Sequence, residues 1–484
     1  MSISKIIQLI IAIGLFVIFL IFPIFPQDRN SSYMFAVVIL MGFFWLAEII
    51  PLGITSLMPI FLFPILQIDT TAKVTTNYIN STIFLFLGGF FLSISMEKWN
   101  LHRRIALSIL NIIGTSKYKI IFGFTIATTL MSMFLSNTAT AMIMLPIAIA
   151  IITKVEDNVS KKDSHKFSVA LLLTIAYSAS IGGIATIIGT PPNLVLMRIY
   201  KITFPNLPDI TFANWLVYGI PLAFGMTILL LIIISLSYLK QLPNNLLSKS
   251  EIDYQLAELG KIQDVEKKIL AIFGTVVLLW IFREPIALGS FTIPGWANLI
   301  GLSKFIDDGT IAIAGAFLLF LLPVNFKDIS KKILDKDAIK KVPWEIILLF
   351  GGGFALADGF ETSGLSKEIA IHLQYLGNLP LFLNLLIISF IVVALTEFSS
   401  NTATAATMLP VIASLSQVIH INPLVLMIPA TISASLAFML PISTPPNAIV
   451  FSTGHIKIKE MAKTGIILNI LGIIYVVVFF SFIQ

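Results

Sequence analysis

The chain has 484 residues, of which 57% are hydrophobic and only 12% charged, with a formal net charge of +6 at neutral pH. Soluble domains carry about 25% charged residues, so a soluble globular fold is excluded. Uncharged apolar runs long enough to cross a bilayer recur from end to end, which predicts an all-α polytopic membrane protein rather than a barrel of short alternating strands. The chain has no cysteine, so disulfides, thiolate metal sites and thiol catalysis are excluded. Its five histidines, His102, His165, His372, His420 and His455, form no ligand-like spacing and read as surface or packing residues. The positive charge points to basic cytoplasmic loops and not to a nucleic-acid partner.

The first apolar run, Ile6 to Phe25, follows Lys5. It lacks a small-residue cleavage site and reads as a retained first helix. With the N-terminus inside and spans alternating, 24 of the 31 Lys and Arg fall on inside segments: the N-terminus, 98–119, 153–166, 239–268, 325–343 and 452–463. The C-terminal span, about 464–483, then ends outside. Residues 120–152 carry no charge although both flanks are basic. A hairpin that enters and returns leaves both flanks on the inside, with its tip at the sequence SNTATA, residues 136–141. Further on, the run from Phe167 to Tyr200 would span about 51 Å as one straight helix, well over the roughly 30 Å hydrocarbon core. It contains GTPPN, ending at Asn193, and paired prolines remove donors and disfavour helix before them. The prediction is a helix, an unwound Thr-Pro-Pro loop and a second helix.

The segment 240–267 is polar and reads as a partly helical cytoplasmic linker. The basic stretch KDISKKILDKDAIKKVPW, 327–344, reads as an amphipathic surface helix. The motifs then recur. FGGGFALADGFETSGLSKEIA, 350–370, aligns with FLGGFFLSISMEKWNLHRRIA, 86–106, and a second SNTATA occupies 400–405; both pairs are offset by 264 residues. A constant offset across two separated blocks argues for duplication. The charge pattern runs the copies in opposite directions, so the repeat is inverted, a construction of secondary transporters. No Lys or Arg lies between Lys367 and Lys457, which predicts a second hairpin with both feet outside. STPPN, ending at Asn447, supplies a second broken helix. The expected divisions are 1–80, N-terminal helices; 81–239, the first repeat; 240–267, the linker; 268–344, helices of the second half with the basic segment; and 345–484, the second repeat core.

Irregular backbone at membrane depth is tolerated only in protein or beside a water-filled cavity, so the two tips imply a central polar site. Helix N-termini suit an anion, while free carbonyls and Ser, Thr and Asn oxygens suit a small hard cation. Thr138 and Thr402 can donate to a carboxylate. No intramembrane Lys or Arg lies near these motifs, so a dianion would need compensating charge from cotransported cations. Glu397 precedes the second tip, where the first has Met133. It reads as a cap, a cation-tuning carboxylate or a proton-coupling site. Asp358, Glu97 and Glu361 read as packing or interface residues.

The two SNT motifs, the two TPP loops and the stretch SLAFMLPISTPPNAIV, 435–450, resemble the divalent anion:sodium symporter family over essentially the whole chain. The resemblance implies about 11 transmembrane helices, a homodimer with scaffold and transport domains (residues 1–80 being mostly scaffold), and elevator-type movement. It implies a first sodium site at Ser132, Ser136, Asn137 and Gly189, and a second at Thr396, Ser399, Asn401 and Ser443. It further implies substrate contacts at Ser136, Asn137, Thr138, Thr190 and Pro191, and at Ser400, Asn401, Thr402, Thr444 and Pro445. The expected function is sodium-coupled symport of C4-dicarboxylates such as succinate, fumarate and malate across the cytoplasmic (inner) membrane. A sodium-independent exchanger and a sodium-coupled sulfate, citrate or phosphate transporter are the alternatives. An enzyme is not expected, because no nucleophile–base or metal constellation is present.

Overall fold

The computed structural model describes residues 3–482 apart from 115, 158, 241, 244–253, 255, 289–290 and 327. Much of the expected linker 240–267 lies outside the described residues. The first half runs α1 (Ile3–Ile21), α2 (Arg29–Ala47), α3 (Leu52–Thr55), α4 (Met58–Ile65), α5 (Thr71–Thr76), α6 (Ser81–Lys98), α7 (Leu101–Ile113), α8 (Lys117–Ser132), α9 (Asn137–Glu156), α10 (Lys161–Ala185), α11 (Pro191–Thr203) and α12 (Phe212–Ile234). The second half runs α13 (Asp264–Ile281), β1 (Ile286–Leu288), β2 (Phe291–Ile293), α14 (Trp296–Leu299), α15 (Asp308–Leu321), β3 (Pro323–Asn325), β4 (Asp328–Lys332) and α16 (Asp337–Lys340). It continues with α17 (Trp344–Ser363), α18 (Leu365–Leu373), α19 (Leu381–Thr396), α20 (Asn401–Val418), α21 (Pro423–Ser433), α22 (Pro445–Phe451) and α23 (Ile458–Ser481).

Among the described residues, eight helices are long and apolar enough to cross a membrane, and four shorter apolar helices accompany them. The core sits on α10, whose most apolar stretch is wholly buried, whereas that of α1 is only 6% buried. The helices pack in groups. The elements α2 to α5 pack with α17, α6 packs with α13 and α15, and α8 to α12 pack with α19 to α23; the last group meets the others chiefly along α11, α17 and α20.

Both expected breaks occur where the residues require them. α8 ends at Ser132 and α9 starts at Asn137, so the first SNT lies at a helix–turn–helix tip. α19 and α20 repeat this at Thr396 and Asn401. The prolines of GTPPN and STPPN occupy the first two positions of α11 and α22, where a missing N–H costs nothing.

Two expectations need correction. The fold is not wholly helical, since β1–β2 and β3–β4 form two antiparallel hairpins. The basic stretch 327–344 is not an amphipathic helix: β4 pairs back onto β3, and one short turn, α16, follows. The reason lies at the end of α15. Leu322 is extended and Pro323 follows it, so the helix cannot continue. The returning strand then satisfies the helix end, with Ile333 N donating to Leu322 O at 3.1 Å and Leu334 N to Leu319 O at 3.0 Å.

The crossing of α6 and α15 relies on small residues, which let backbones approach closely. A Cβ on Gly88 would lie 2.5 Å from the Ala312 carbonyl carbon, and one on Gly309 would lie 2.6 Å from Ser81 O. Gly88→Val should therefore force the helices apart and cost about 1–3 kcal/mol. The expected outcome is a thermal midpoint several degrees lower in detergent; an unchanged midpoint would show that the crossing yields freely.

Candidate functional site

The two tips and the two proline loops converge on one cavity of about 500 Å³, within the usual range for a small-ligand site. Ser136, Asn137 and Thr138 line it from one hairpin; Ser400, Asn401 and Thr402 line it from the other. Gly189, Thr190 and Pro191 meet Ser443, Thr444 and Pro445 across it. α9, α20 and α11 all begin at this wall, and they are 20, 18 and 13 residues long. Their first N–H groups lack intrahelical partners and carry partial positive charge. Among the described residues no Lys, Arg or His lines the cavity, so an anion here meets helix-end N–H groups, hydroxyls and amides rather than a cationic side chain.

Behind each tip the same oxygen cluster recurs. Ser132 Oγ lies 2.8 Å from Asn137 Oδ1 and 2.6 Å from Ala179 O. Thr396 Oγ1 lies 2.8 Å from Asn401 Oδ1 and 2.7 Å from Ala434 O. One hydroxyl proton serves one acceptor well, so each cluster holds more lone pairs than protons and suits a hard cation. Among the described residues, no group of three or more His, Cys, Asp or Glu side chains gathers to hold a metal; these clusters are neutral. Ser132 and Thr396 are fully buried behind the cavity wall. The Ser399 side chain turns away from the second cluster. Its hydroxyl pairs with Thr404 Oγ1 at 2.7 Å and with Leu395 O at 3.2 Å, inside the hairpin.

The unwound loops are held by amides that the motif contains but whose task its letters do not reveal. Asn193 Nδ2 donates to Gly183 O at 3.1 Å and Thr186 O at 2.8 Å. Asn447 Nδ2 donates to Ala437 O at 3.1 Å and Leu440 O at 3.0 Å. The halves differ behind the second tip. Glu397 is 3% exposed, and its Oε1 accepts from Phe438 N, Met439 N and Asn469 Nδ2 at 2.9, 2.9 and 2.6 Å. Its Oε2 accepts from Ser443 Oγ at 2.6 Å. The carboxylate thereby caps donors of the irregular segment 434–444. At the equivalent place in the first half, the Met133 carbonyl accepts from Thr186 Oγ1.

Asp358 lies 3.8 Å from Lys73 and accepts from Asn77, and Glu361 accepts from Ser366. Neither lines the cavity, nor does Glu97. His102 is buried against Met96 O, and His165 meets Glu460. Two lining carboxylates were not foreseen from the sequence: Glu48, which ends α2 with φ 45°, and Glu345, at the start of α17. Both are exposed and border the mouth. Phe86, Gly89 and Phe90 also line the cavity; their signal was the repeated block 86–106.

Comparison with known proteins places this geometry among transporters. Residues 3–483 match the family model described as the sodium:sulfate symporter transmembrane region. A sodium-dependent dicarboxylate transporter, SdcS, of Staphylococcus saprophyticus is 40% identical over 489 residues, covering 98% of this chain and 91% of that protein. SdcS of Staphylococcus aureus is 41% identical over 486 residues, with 98% and 90% covered. Two solved structures share the fold at 13% identity and a TM-score of 0.57. They are MtrF of Neisseria gonorrhoeae, an antimetabolite efflux pump, with 85% of this chain and 84% of that one covered, and the YdaH transporter of Alcanivorax borkumensis, with 85% and 88% covered.

Glycines on α10 let the first tip and loop meet. A Cβ on Gly183 would lie 2.7 Å from Asn137 Oδ1 and 3.0 Å from Thr190 Cβ. Gly183→Ala should displace Asn137 and lower transport at least tenfold while leaving expression and the gel-filtration profile unchanged. Wild-type transport in that variant would show that the tip tolerates the shift.

Proposed function

The chain belongs to the divalent anion:sodium symporter family, and we propose that it is a sodium-coupled symporter of C4-dicarboxylates such as succinate, fumarate and malate in the cytoplasmic membrane. The observation that carries this reading is a cavity lined by three long-helix N-termini and by Ser, Thr and Asn, without any basic side chain. A dianion is held there by N–H dipoles and hydroxyls. Its second charge is balanced by sodium at the oxygen clusters of Ser132 and Asn137 and of Thr396 and Asn401. Anion and cation binding are then coupled, each raising the affinity of the other. The naming of SdcS as a sodium-dependent dicarboxylate transporter supports the same substrate class.

In this reading the halves are inverted repeats with two re-entrant hairpins and two broken helices. The recurrence of the tip bonds at an offset of 264 residues, Ser132 with Asn137 and Thr396 with Asn401, supports it. This reading has about 11 spans, drawn from the eight long apolar helices and the four shorter ones among the described residues. The N-terminus is inside and the C-terminus outside, by the lysine and arginine distribution. Glu48 and Glu345 then lie at an inward-facing mouth. The set α8 to α12 with α19 to α23 is the transport body, which moves against α2 to α6, α13, α15 and α17 as an elevator. The protein works as a homodimer.

The test is radiolabelled succinate uptake into proteoliposomes. Uptake should rise several-fold with an inward sodium gradient. Uptake driven only by internal dicarboxylate would replace symport with exchange, and sodium-driven uptake of sulfate or citrate but not succinate would move the substrate class.

Thr402→Val removes a hydroxyl donor to a carboxylate, worth about 1.5–3 kcal/mol. The half-saturating succinate concentration should rise about 10- to 100-fold, with a much smaller change for sodium. Equal losses for both would remove the assignment of Thr402 to the anion.

A further inference from the structure

The cavity does not use the hairpin β3–β4, although this segment gathers charge and apolar surface from four elements. Lys268 of α13 donates to Pro323 O and Val324 O at 2.9 and 3.1 Å and lies 4.0 Å from the Phe326 ring centroid. Trp99, just past α6, donates from its indole to Ile333 O at 3.0 Å, and Lys331 stands 5.5 Å from its ring centroid. Lys98 pairs with Asp335 at 2.7 Å. Ile333 and Leu334 are fully buried and fasten the hairpin to α15. The rest faces outward: Phe326 is 70% exposed, Ile329 66% and Trp344 49%, beside the exposed Lys331, Lys336 and Lys341.

Trp99 and Trp344 lie at the ends of α6 and α17, and Phe326 lies just past the end of α15. On the orientation proposed above, all three ends are cytoplasmic, so the patch sits at one level of the bilayer. Aromatic residues favour that level, and lysines clustered next to a span there attract anionic headgroups. Phe326 and Ile329 stay largely exposed even with Lys268 against the Phe326 ring, and the lysines around them complement phosphate charge. We propose that β3–β4, with its flanking lysines and aromatic residues, binds anionic phospholipid of the inner leaflet. The surface anchors one body of the protein. Every contributing element, α6, α13, α15 and α17, belongs to the set that the elevator reading holds still, and none belongs to the set that moves.

The inner-leaflet placement rests on the orientation of the symporter reading, whereas lipid binding can be read without transport. Purified protein would be mixed with phosphatidylglycerol or phosphatidylcholine and retained lipid counted by native mass spectrometry. Uptake would be measured in parallel in phosphatidylcholine vesicles with and without phosphatidylglycerol. The variant combining Lys331→Gln, Lys336→Gln and Lys341→Gln spares the lysines that bond the fold, and the matching Arg variant keeps the charge.

Wild type and the Arg variant should retain phosphatidylglycerol selectively and carry substrate several-fold faster in its presence. The Gln variant should lose both effects while keeping its sodium half-saturation. Phe326→Asn should weaken retention with all lysines in place. Equal phosphatidylglycerol retention by the Gln variant, or displacement of the lipid by an equal concentration of soluble glycerophosphoglycerol, would overturn the proposal. Selective lipid retention by a protein that carries no dicarboxylate would sink the symporter reading alone.

Discussion

A helix interrupted inside a membrane leaves carbonyls with no water to bond, at a cost of several kcal/mol for each unsatisfied group. In this protein one buried amide in each half answers that constraint. Asn193 spans Gly183 O and Thr186 O, and Asn447 spans Ala437 O and Leu440 O. Everything at the site follows from those ties. They hold the segments that follow α10 and α21, and so where Thr190 and Thr444 stand relative to the tips. They also allow α11 to begin at the cavity, with its dipole aimed inward. The irregular segment is longer in the second half, and there the Glu397 carboxylate takes over two further N–H groups.

A site built this way has an electrostatic character that a basic residue would destroy. A resident lysine or arginine would hold a dianion with or without sodium, and the coupling would be lost. Neutral oxygens and helix ends leave the anion incompletely balanced. The two oxygen clusters are alike at Ser132 and Thr396 but unlike behind them. The second has a buried carboxylate hydrogen-bonded to Ser443, whereas the first has a methionine at that position. One negative charge close behind a cation cluster raises its attraction for a cation, so the proposed pair of sodium sites is chemically unequal within a similar geometry.

The same economy of side chains governs the contacts away from the cavity. Gly88 and Gly309 bring α6 and α15 together, while Gly182 and Gly183 bring α10 against the first tip. Arg104, near the start of α7, binds Glu266 at 2.8 Å and the carbonyls of Leu259 and Gly260 at 3.0 and 2.8 Å. It thereby ties the linker's far end to the start of α13. The close glycine crossings bring helix backbones together within one continuous apolar core. That core continues across the contacts of α11, α17 and α20.

The amino-acid sequence by itself determined the features that have a local cause. Long apolar runs require helices, paired prolines require breaks, and basic flanks on both sides of 120–152 require a returning hairpin. SNTATA recurs at an offset of 264 residues and TPPN at 254, and both could be read because each copy must do the same backbone work. Tertiary structure decided what depends on residues far apart in the chain. The charges of 327–344 suit a helix as well as a strand, and only pairing with Pro323–Asn325 beneath α15 selected the hairpin. Glu48 and Glu345, 297 positions apart, share a cavity mouth because α2 and α17 pack side by side. Glu397 was recognisable as unusual, but its partners Phe438, Met439, Ser443 and Asn469 come from an irregular segment and a distant helix. Hydrogen bonds of that kind follow from where the backbone lies after packing, and residue order alone does not contain that information.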